Sequence, residues 1–417
     1  MKTLIVLAWK NLSRYKKRTI ITASALAFGL AIFIFFDSWL LGMELDSERN
    51  LIWYETASAK ILHDEYWDKK ENAPLKYTID NPQNLINSLE EINIDATARI
   101  VFSGEIILRR DPFPEDGSVM LNIIGINPET DDNVFRFRET ITSGDYLNKG
   151  EHGILMGAWL ADKIGAEVGF SLIIVTRTKT GFRQTIDVEI TGIVDCPNPY
   201  INKGAIFIPI DVADLYLEMD GTVTEIDLNY PELSDVDKIS EDITEALKLE
   251  SSGLDILTWK KIVEAYVALA KMKQSGSLIV LFLVFIIAAV GISNTMLMSI
   301  YERKREIGMM RALGMKDSEI KRAFKFEAAG IGLIGSIIGV IIGIGLCVWI
   351  IYEGVDFTSM VKDMDVGYRI TGIFRGAWHL EAIIGAFLFG IVLSVIVSIM
   401  PVRKVLKKRI TECLRNE

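Results

Sequence analysis

The chain has 417 residues, half of them hydrophobic and 24% charged, with a formal net charge of −10 and a mean hydropathy of +0.29. Its length suits two or three domains, and high hydropathy together with many charges argues against one uniform globular fold. Apolar and polar blocks are instead expected to follow one another. The net charge gives no sign of nucleic-acid binding, and no nucleic-acid partner is expected.

Four apolar runs, at 20–41, 277–300, 328–351 and 382–400, are each close to 20 residues long. A helix needs about 20 apolar residues to cross ~30 Å of hydrocarbon, so four transmembrane helices are predicted. Buried core helices of a soluble protein are the alternative, but these are usually shorter and interrupted by polar residues. The first run could be a secretory signal. Its long basic leader and the lack of a small-residue cleavage site favour an uncleaved anchor instead.

Basic residues are concentrated in three segments: six precede the first run, eight lie within 301–325, and six follow Met400. Between residues 44 and 275, by contrast, there are 42 acidic and only 22 basic residues. The positive-inside rule therefore predicts that both termini and the 301–325 loop are cytoplasmic. The long acidic segment and the loop at 353–380 are predicted to lie outside.

The expected fold is an α-helical membrane protein with four transmembrane helices and a large extracytoplasmic α+β domain, containing a β-rich subdomain at roughly 135–210. The predicted segments are a basic amphipathic cytoplasmic leader (1–19), TM1 (20–42), the extracytoplasmic domain (43–259), a stalk with TM2 (260–300), a cytoplasmic coupling loop (301–325), TM3 (326–352), an outer loop (353–380), TM4 (381–402) and a basic cytoplasmic tail (403–417).

Within the acidic segment, alternating apolar residues and turn signals predict paired strands at 99–126 and a hairpin at 171–195. Residues 223–259 predict strand, helix, strand, with Ser234 or Asp235 as the N-cap.

From Lys260 the pattern becomes helical, with Ile262, Tyr266, Leu269 and Met272 on one face. We predict a rigid stalk that continues the second span outward and carries movement; a short linker with chance helical spacing is the alternative.

No catalytic motif is visible: a P-loop, an HExxH zinc motif and a GxSxG nucleophile motif are all absent from the sequence. Cys196, Cys347 and Cys413 fall in different predicted compartments, so neither a disulfide nor a metal-ligand spacing is expected. Asp37 and Glu327 lie near predicted membrane edges, which argues against an ion-coupled carrier. No catalytic residue, metal site or cofactor is predicted in this chain.

The third span contains a doubled GxxxG pattern, Gly335, Gly339 and Gly343. Small residues at this spacing let helices approach closely in lipid, so a tight interface is predicted, either within the chain or across a dimer. The alternative is that glycine is simply common in membrane spans.

The 301–325 loop has a helical pattern. One face is marked by apolar residues: Ile300, Ile307, Met310 and Leu313 (or Gly314). Three basic residues are expected to point mostly away from that face: Arg303, Lys304 and Arg311. Gly314 is expected to end this helix in a left-handed conformation, and Asp317 to cap the next one. A short capped helix of this kind suits insertion into a cytoplasmic partner; an ordinary positive-inside loop is the alternative.

The block NTMLMSIYERKREIGMMRALGM (294–315), followed by FxxEAxxxxLxGxxxG (324–339), resembles the permease domain of the MacB/LolC/LolE/FtsX family of mechanotransmission (type VII) ABC transporters. The leader AWKNLSRYKKRT resembles that of the same family. Five further motifs resemble its periplasmic core domain: SGDYL (143–147), GILMG (153–157), LADKIGAEVG (160–169), TGIVD (191–195) and IFIPI (206–210).

The resemblance implies a permease of the bacterial inner membrane, not an enzyme. Two such chains, identical or paralogous, would sit on a cytoplasmic ABC ATPase dimer that binds ATP and Mg²⁺, and this chain would hold no cofactor itself. Coupling would fall to Glu302, Arg303, Arg305, Glu306, Ile307, Gly308, Arg311, Ala312, Leu313 and Gly314. Glu327 matches the family's glutamate at the entry to the third span.

MacB carries a fused ATPase before its first span, whereas this chain begins about 20 residues before its own, so a separate ATPase subunit is expected. The size of the outer domain and LTW at 257–259 look more like lipoprotein-release permeases; REIGMMRALG at 305–314 is closer to general MacB-like permeases. The expected substrate is a lipoprotein or another hydrophobic or peptidic molecule. The alternatives are an FtsX-like regulator of an extracytoplasmic partner, such as a cell-wall hydrolase, and a standalone membrane enzyme.

Overall fold

The computed structural model describes residues 16–232, 234–357, 373–407 and 409–414. Most of the predicted leader (1–19) and of the loop at 353–380 lies outside these residues. The chain divides into two units. The helical unit comprises Met1–Leu45, Ala268–Phe357 and Ile373–Glu417, and the α+β unit comprises Asp46–Val267 and Thr358–Gly372.

The described residues form twelve α-helices and twelve β-strands. The helices are α1 (Lys16–Leu51), α2 (Pro82–Glu91), α3 (Ala158–Ile164), α4 (Pro199–Gly204), α5 (Ile210–Leu217), α6 (Val236–Leu247), α7 (Trp259–Ile262), α8 (Glu264–Glu302), α9 (Lys304–Ala312), α10 (Asp317–Tyr352), α11 (Leu380–Leu406) and α12 (Ile410–Leu414). The strands are β1 (Ala59–His63), β2 (Asp95–Leu108), β3 (Gly117–Ile126), β4 (Ile141–Gly144), β5 (Gly153–Gly157), β6 (Ser171–Arg177), β7 (Arg183–Val194), β8 (Ala205–Pro209), β9 (Glu225–Asn229), β10 (Leu254–Thr258), β11 (Val355–Asp356) and β12 (Ile373–Phe374).

Three helical stretches among the described residues are long and apolar enough to cross a membrane: Thr19–Thr56, α10 and α11. The predicted second span, 277–300, lies within α8, a helix of 39 residues. Many of its side chains, including all of 273–281, are outside the described set. The fourth span therefore stays a prediction.

One apolar core joins the long helices of the helical unit. It contains Ala23, Leu26, Leu30 and Ile34 of α1, Phe285, Ile292 and Met296 of α8, Ala328, Ile331 and Cys347 of α10, and Ile383 and Ala386 of α11. At the predicted outer end of α1, the Asp37 carboxylate lies 2.6 Å from His379 Nδ1, and the Trp39 ring stacks on Phe357.

The glycine stripe of α10 faces α1 of the same chain. A Cβ added at Gly335 would lie 3.0 Å from the carbonyl oxygen of Ala23, and one at Gly339 would lie 2.8 Å from that of Ala27. At Gly343 it would come 3.0 Å from a side chain of α1. A side chain would crowd α1 at all three positions, most of all at Gly339, so these glycines serve a close contact within the chain.

Six strands of the α+β unit close into a barrel. Following the ladders, their order is β2–β3–β8–β5–β7–β6, and β6 pairs again with β2. Closure depends on β2, which pairs with β9 through residues 95–99 and with β6 through residues 105–107. The β-rich subdomain was predicted at 135–210; the barrel begins earlier, because the hairpin at 99–126 supplies two of its strands.

The first half of β2 also belongs to an antiparallel sheet of order β10–β1–β9–β2. Helix α6 packs on β10, and its N-cap is Asp235, whose carboxylate accepts a hydrogen bond from the Lys238 N–H. The predicted strand, helix, strand at 223–259 is confirmed, as are the pairings at 99–126 and 171–195.

The helix predicted to continue from Lys260 begins only at Glu264. Helix α7 precedes it, and Val263, with ψ of 47°, separates the two helices. Of the predicted stripe, Tyr266 packs against the core of the α+β unit, whereas Leu269 is exposed. The predicted apolar face therefore serves packing only in the first turn of α8.

Five charged side chains are buried together in the α+β unit. Lys60 Nζ lies 2.6 Å from Glu225 Oε1 and 3.0 Å from Asp227 Oδ1. Arg99 Nη2 donates to both carboxylate oxygens of Asp131, at 2.8 and 3.0 Å. Burial raises the pKa of Asp227 to about 7, against the opposing attraction of Lys60 and Arg99. Burial likewise raises the pKa of the Asp131 carboxyl.

This cluster predicts a pH-dependent stability. The pKa of Asp227 is about 7 when folded, against an ordinary value of 3.8, so the folded state binds the extra proton between these values. Stability therefore falls as the pH rises through that window. We expect the purified full-length protein to melt at a lower temperature at pH 8 than at pH 5, and Asp227→Asn to reduce that difference. Asp242→Asn, an exposed change, is the control; a variant that keeps the full wild-type difference would contradict the assignment.

Candidate coupling site

The 301–325 loop folds as a short helix, a turn and the start of a second helix. Gly314 ends α9 with φ of +91°, in the left-handed region predicted for it. The predicted capping of α10 by Asp317 is wrong, because Lys316 occupies the N-cap position and its N–H donates to the Glu319 carboxylate at 2.9 Å. Asp317 instead pairs with Arg311, whose Nε lies 3.1 Å from Oδ1. This ion pair closes the turn between α9 and α10.

Arg303 lies at the centre of the site. Its Nη1 donates to Glu327 Oε2 at 3.0 Å, and its Nε donates to Glu306 Oε2 at 2.9 Å. Arg303 is 5% exposed and Glu327 is 2% exposed. The guanidinium also lies over the Phe324 ring, 5.4 Å from its centroid. The charge-assisted pair therefore joins the end of α8 to the inner part of α10.

The prediction that Arg303 points away from the packed face is wrong. Residue 303 has φ of −100° and ψ of 12°, between the end of α8 and the start of α9. A helical wheel drawn continuously through 300–313 does not apply across this break, and the side chain turns inward. Leu313 was placed on the apolar face, but it lies beyond the end of α9 and is 88% exposed.

A second apolar core lies beneath α9. It contains Ile300, Ile307, Ile320, Phe324, Val402, Val405 and Leu406, with Met310 and Met315 packed against it. Ile300, Ile307 and Met310 therefore lie where the sequence pattern predicted. The contribution from the end of α11 was missed, although its apolar residues recur at helical spacing within the basic tail.

The predicted coupling residues divide into three groups. Arg303, Ile307 and Gly308 are buried, Glu306 and Arg311 are partly buried, and Glu302, Arg305, Ala312, Leu313 and Gly314 are exposed. Met309, which was not among the predicted residues, is 46% exposed and extends the open face between Arg305 and Leu313. Helix α9 thus presents an apolar and cationic surface that nothing in the described residues covers.

The structure shows no sign of a metal centre here. Across the described ranges, no group of three His, Cys, Asp or Glu side chains is placed to hold a metal ion. Cys196, Cys347 and Cys413 are buried free thiols. The arrangement is a short helix that is fixed on one side by ion pairs and apolar packing and is open on the other. Such a helix suits binding and the transmission of movement.

Replacing only one partner of the buried Arg303–Glu327 pair is expected to lower the free energy of unfolding strongly. Arg303→Met or Glu327→Leu alone leaves a buried charge without its main partner, which costs about 3–5 kcal/mol. We expect the double variant to lose less than the sum of the two, in a double-mutant cycle on unfolding in detergent. Arg305→Met, an exposed change on α9, is the control and should shift stability by no more than about 0.5 kcal/mol. Strict additivity of the two single changes would show that the pair is not coupled.

Comparison with known proteins identifies proteins that are similar to the part of the chain containing this site. The FtsX-like permease C-terminal family matches residues 278–410, which include α9, α10 and α11. The chain is 28% identical over 232 residues to an uncharacterized ABC transporter permease of Methanocaldococcus jannaschii, and the match covers 55% of each chain. It is 25% identical over 307 residues to the lipoprotein-releasing system transmembrane protein LolC of Xylella fastidiosa, covering 70% of this chain and 72% of LolC.

Among solved structures, the periplasmic region of MacB from Actinobacillus actinomycetemcomitans aligns with 51% of this chain and 93% of its own, with a TM-score of 0.36 and 13% identity. The archaeal relative is matched over little more than half its length. The family match includes the whole predicted coupling loop, 301–325. Residues 278–410 therefore match the FtsX-like permease C-terminal family, and the chain is similar to ABC transporter permeases, LolC among them.

Proposed function

We propose that this permease receives the movement of a separate cytoplasmic ABC ATPase through the open face of α9 and passes it to the α+β unit outside the membrane. The observation that carries the proposal is the exposure of Met309 on α9 and of Leu313 just beyond its end, while the other side of α9 packs on an apolar core. Exposed apolar side chains beside a cation are typical of a protein-binding surface. Arg303 and Glu327 hold that surface in place from beneath.

The charge distribution supports the orientation. The α9 region and both termini are rich in Lys and Arg, which supports a cytoplasmic location for them by the positive-inside rule. The acidic α+β unit then lies outside a bacterial inner membrane. The ATPase would be a dimer that binds ATP and Mg²⁺, and a second permease chain, identical or paralogous, would complete the transporter. Because the Gly335, Gly339 and Gly343 stripe is used within the chain, that second chain would contact other helix faces.

A continuous helix connects the two ends of this mechanism. Helix α8 ends at the Arg303 joint and begins at Glu264, whose turn packs through Tyr266 into the α+β core. At 1.5 Å per residue, its 39 residues span about 58 Å. A displacement of α9 is thereby carried along α8, because an unbroken helix does not absorb it.

We expect the substrate to be a lipoprotein or another hydrophobic or peptidic molecule, moved from the outer leaflet without crossing the inner bilayer. The match to LolC, named for lipoprotein release, supports this class. The family match supports one alternative, an FtsX-like regulator that acts on an extracytoplasmic partner such as a cell-wall hydrolase.

Crosslinking in cells separates these two functions. A photoreactive residue placed at exposed Phe182 of the α+β unit is expected to trap lipoproteins, identified by mass spectrometry, in an ATP-dependent manner. The same probe at exposed Leu388, on α11, is the control for non-specific capture in the membrane. Reproducible capture of a hydrolase in place of lipoproteins would reject the transport assignment in favour of the regulator.

The open face of α9 predicts where ATPase binding is lost. Leu313→Asp and Arg305→Glu change exposed side chains without disturbing the packed core. Each is expected to lower the amount of co-purified ATPase about tenfold, equivalent to about 1.4 kcal/mol. Leu215→Asp makes the same leucine change at a 72% exposed position of α5 and should have no effect. Full retention of the ATPase by both α9 variants would refute the coupling role of this face.

A further inference from the structure

The chain after the last long apolar run packs against the coupling helix α9. Val402, Val405 and Leu406 at the end of α11 are 3%, 1% and 7% exposed, within a sequence that is otherwise strongly basic. They share one apolar core with Ile307 of α9 and Phe324 of α10.

Helix α12 extends this contact. It packs directly on α9, and its Cys413 is only 2% exposed, while Arg409 and Glu412 beside it face solvent. A helix of five residues has no stability of its own, so its conformation depends on this packing. The contact therefore orders α12 and covers part of α9 together.

Helix α9 needs such support. It has nine residues, too few to be stable alone in water. Ion pairs fix its two ends, Arg303 with Glu327 at the first and Arg311 with Asp317 at the last. Between these ends, its orientation about its own axis depends on the apolar contacts beneath Ile307. The carboxyl-terminal segment supplies part of those contacts.

We propose that Val402, Val405, Leu406 and Cys413 form a carboxyl-terminal brace, a positioning element that holds α9 with its open face toward the ATPase. The inference rests on the proposed coupling function and goes beyond it, because the brace acts through α9. Without the brace, a smaller fraction of the molecules presents α9 in the binding orientation. The apparent dissociation constant for the ATPase then rises in inverse proportion to that fraction, while the bound complex still works.

The test titrates the ATPase that co-purifies with the wild-type chain against full-length permease in lipid nanodiscs, with ATP turnover as the readout. The brace is broken by Cys413→Asp, which places a carboxylate in a buried position, and by ending the chain after Arg409, which removes α12. The controls are Cys413→Ala, which keeps the site apolar, and Glu412→Gln, an exposed change on the same helix. Membrane levels and melting temperatures are compared for all four proteins.

We expect the two disrupted proteins to require about tenfold more ATPase for half-maximal turnover, equivalent to about 1.4 kcal/mol, and to reach the wild-type maximum at saturation. Both controls should behave as wild type. An unchanged half-maximal concentration in both disrupted proteins would overturn the brace. So would a maximum that excess ATPase fails to restore, because that result indicates general damage. Leu313→Asp, run in parallel, separates the two proposals: if it also couples normally, the coupling function itself fails.

Discussion

The packing around α9 depends on one buried ion pair, between Arg303 and Glu327. A guanidinium and a carboxylate that are almost wholly removed from water are tolerable only when each satisfies the other. Here Arg303 lies at the break between α8 and α9, and its guanidinium donates hydrogen bonds to Glu327 on one side and to Glu306 on the other. The pair thereby fixes the angle at which α9 leaves α8. A hydrophobic contact in this place would be less directional, because apolar packing does not prescribe which atoms meet.

Around this ion pair, two kinds of contact hold the helical unit together. Close backbone approach between α1 and α10, allowed by glycine, holds the long helices together. Side-chain packing among α9, the start of α10 and the end of α11 forms the smaller core beneath the open face. The first contact is close because α10 contributes no side chains to it at the three glycines. The second consists of apolar side chains, including the flexible Met310 and Met315, which can adapt their packing more readily.

Local patterns in the sequence were sufficient for much of this architecture. Alternation and turn residues located the hairpins at 99–126 and 171–195, and helical spacing with Asp235 located α6. Closure of the barrel could not be predicted from the sequence. It depends on the pairing of β2 with β6 and of β5 with β8, strands that are far apart along the chain, and no local sequence period encodes such pairings. The coupling site shows the same limit. Periodicity assumes an unbroken helix, whereas the burial of Arg303 depends on a break beside it and on a glutamate 24 residues away.

Strand β2 carries a further consequence, since its first half belongs to the open sheet and its second half to the barrel. The two parts of the α+β unit therefore share one uninterrupted strand and have little rotational freedom against each other. Strand β10, which leads through α7 into α8, pairs with β1 and, through β9, reaches β2. Rows of backbone hydrogen bonds thus join β10 to the strand that the open sheet shares with the barrel. We therefore expect the open sheet and the barrel to behave as one rigid part of the α+β unit.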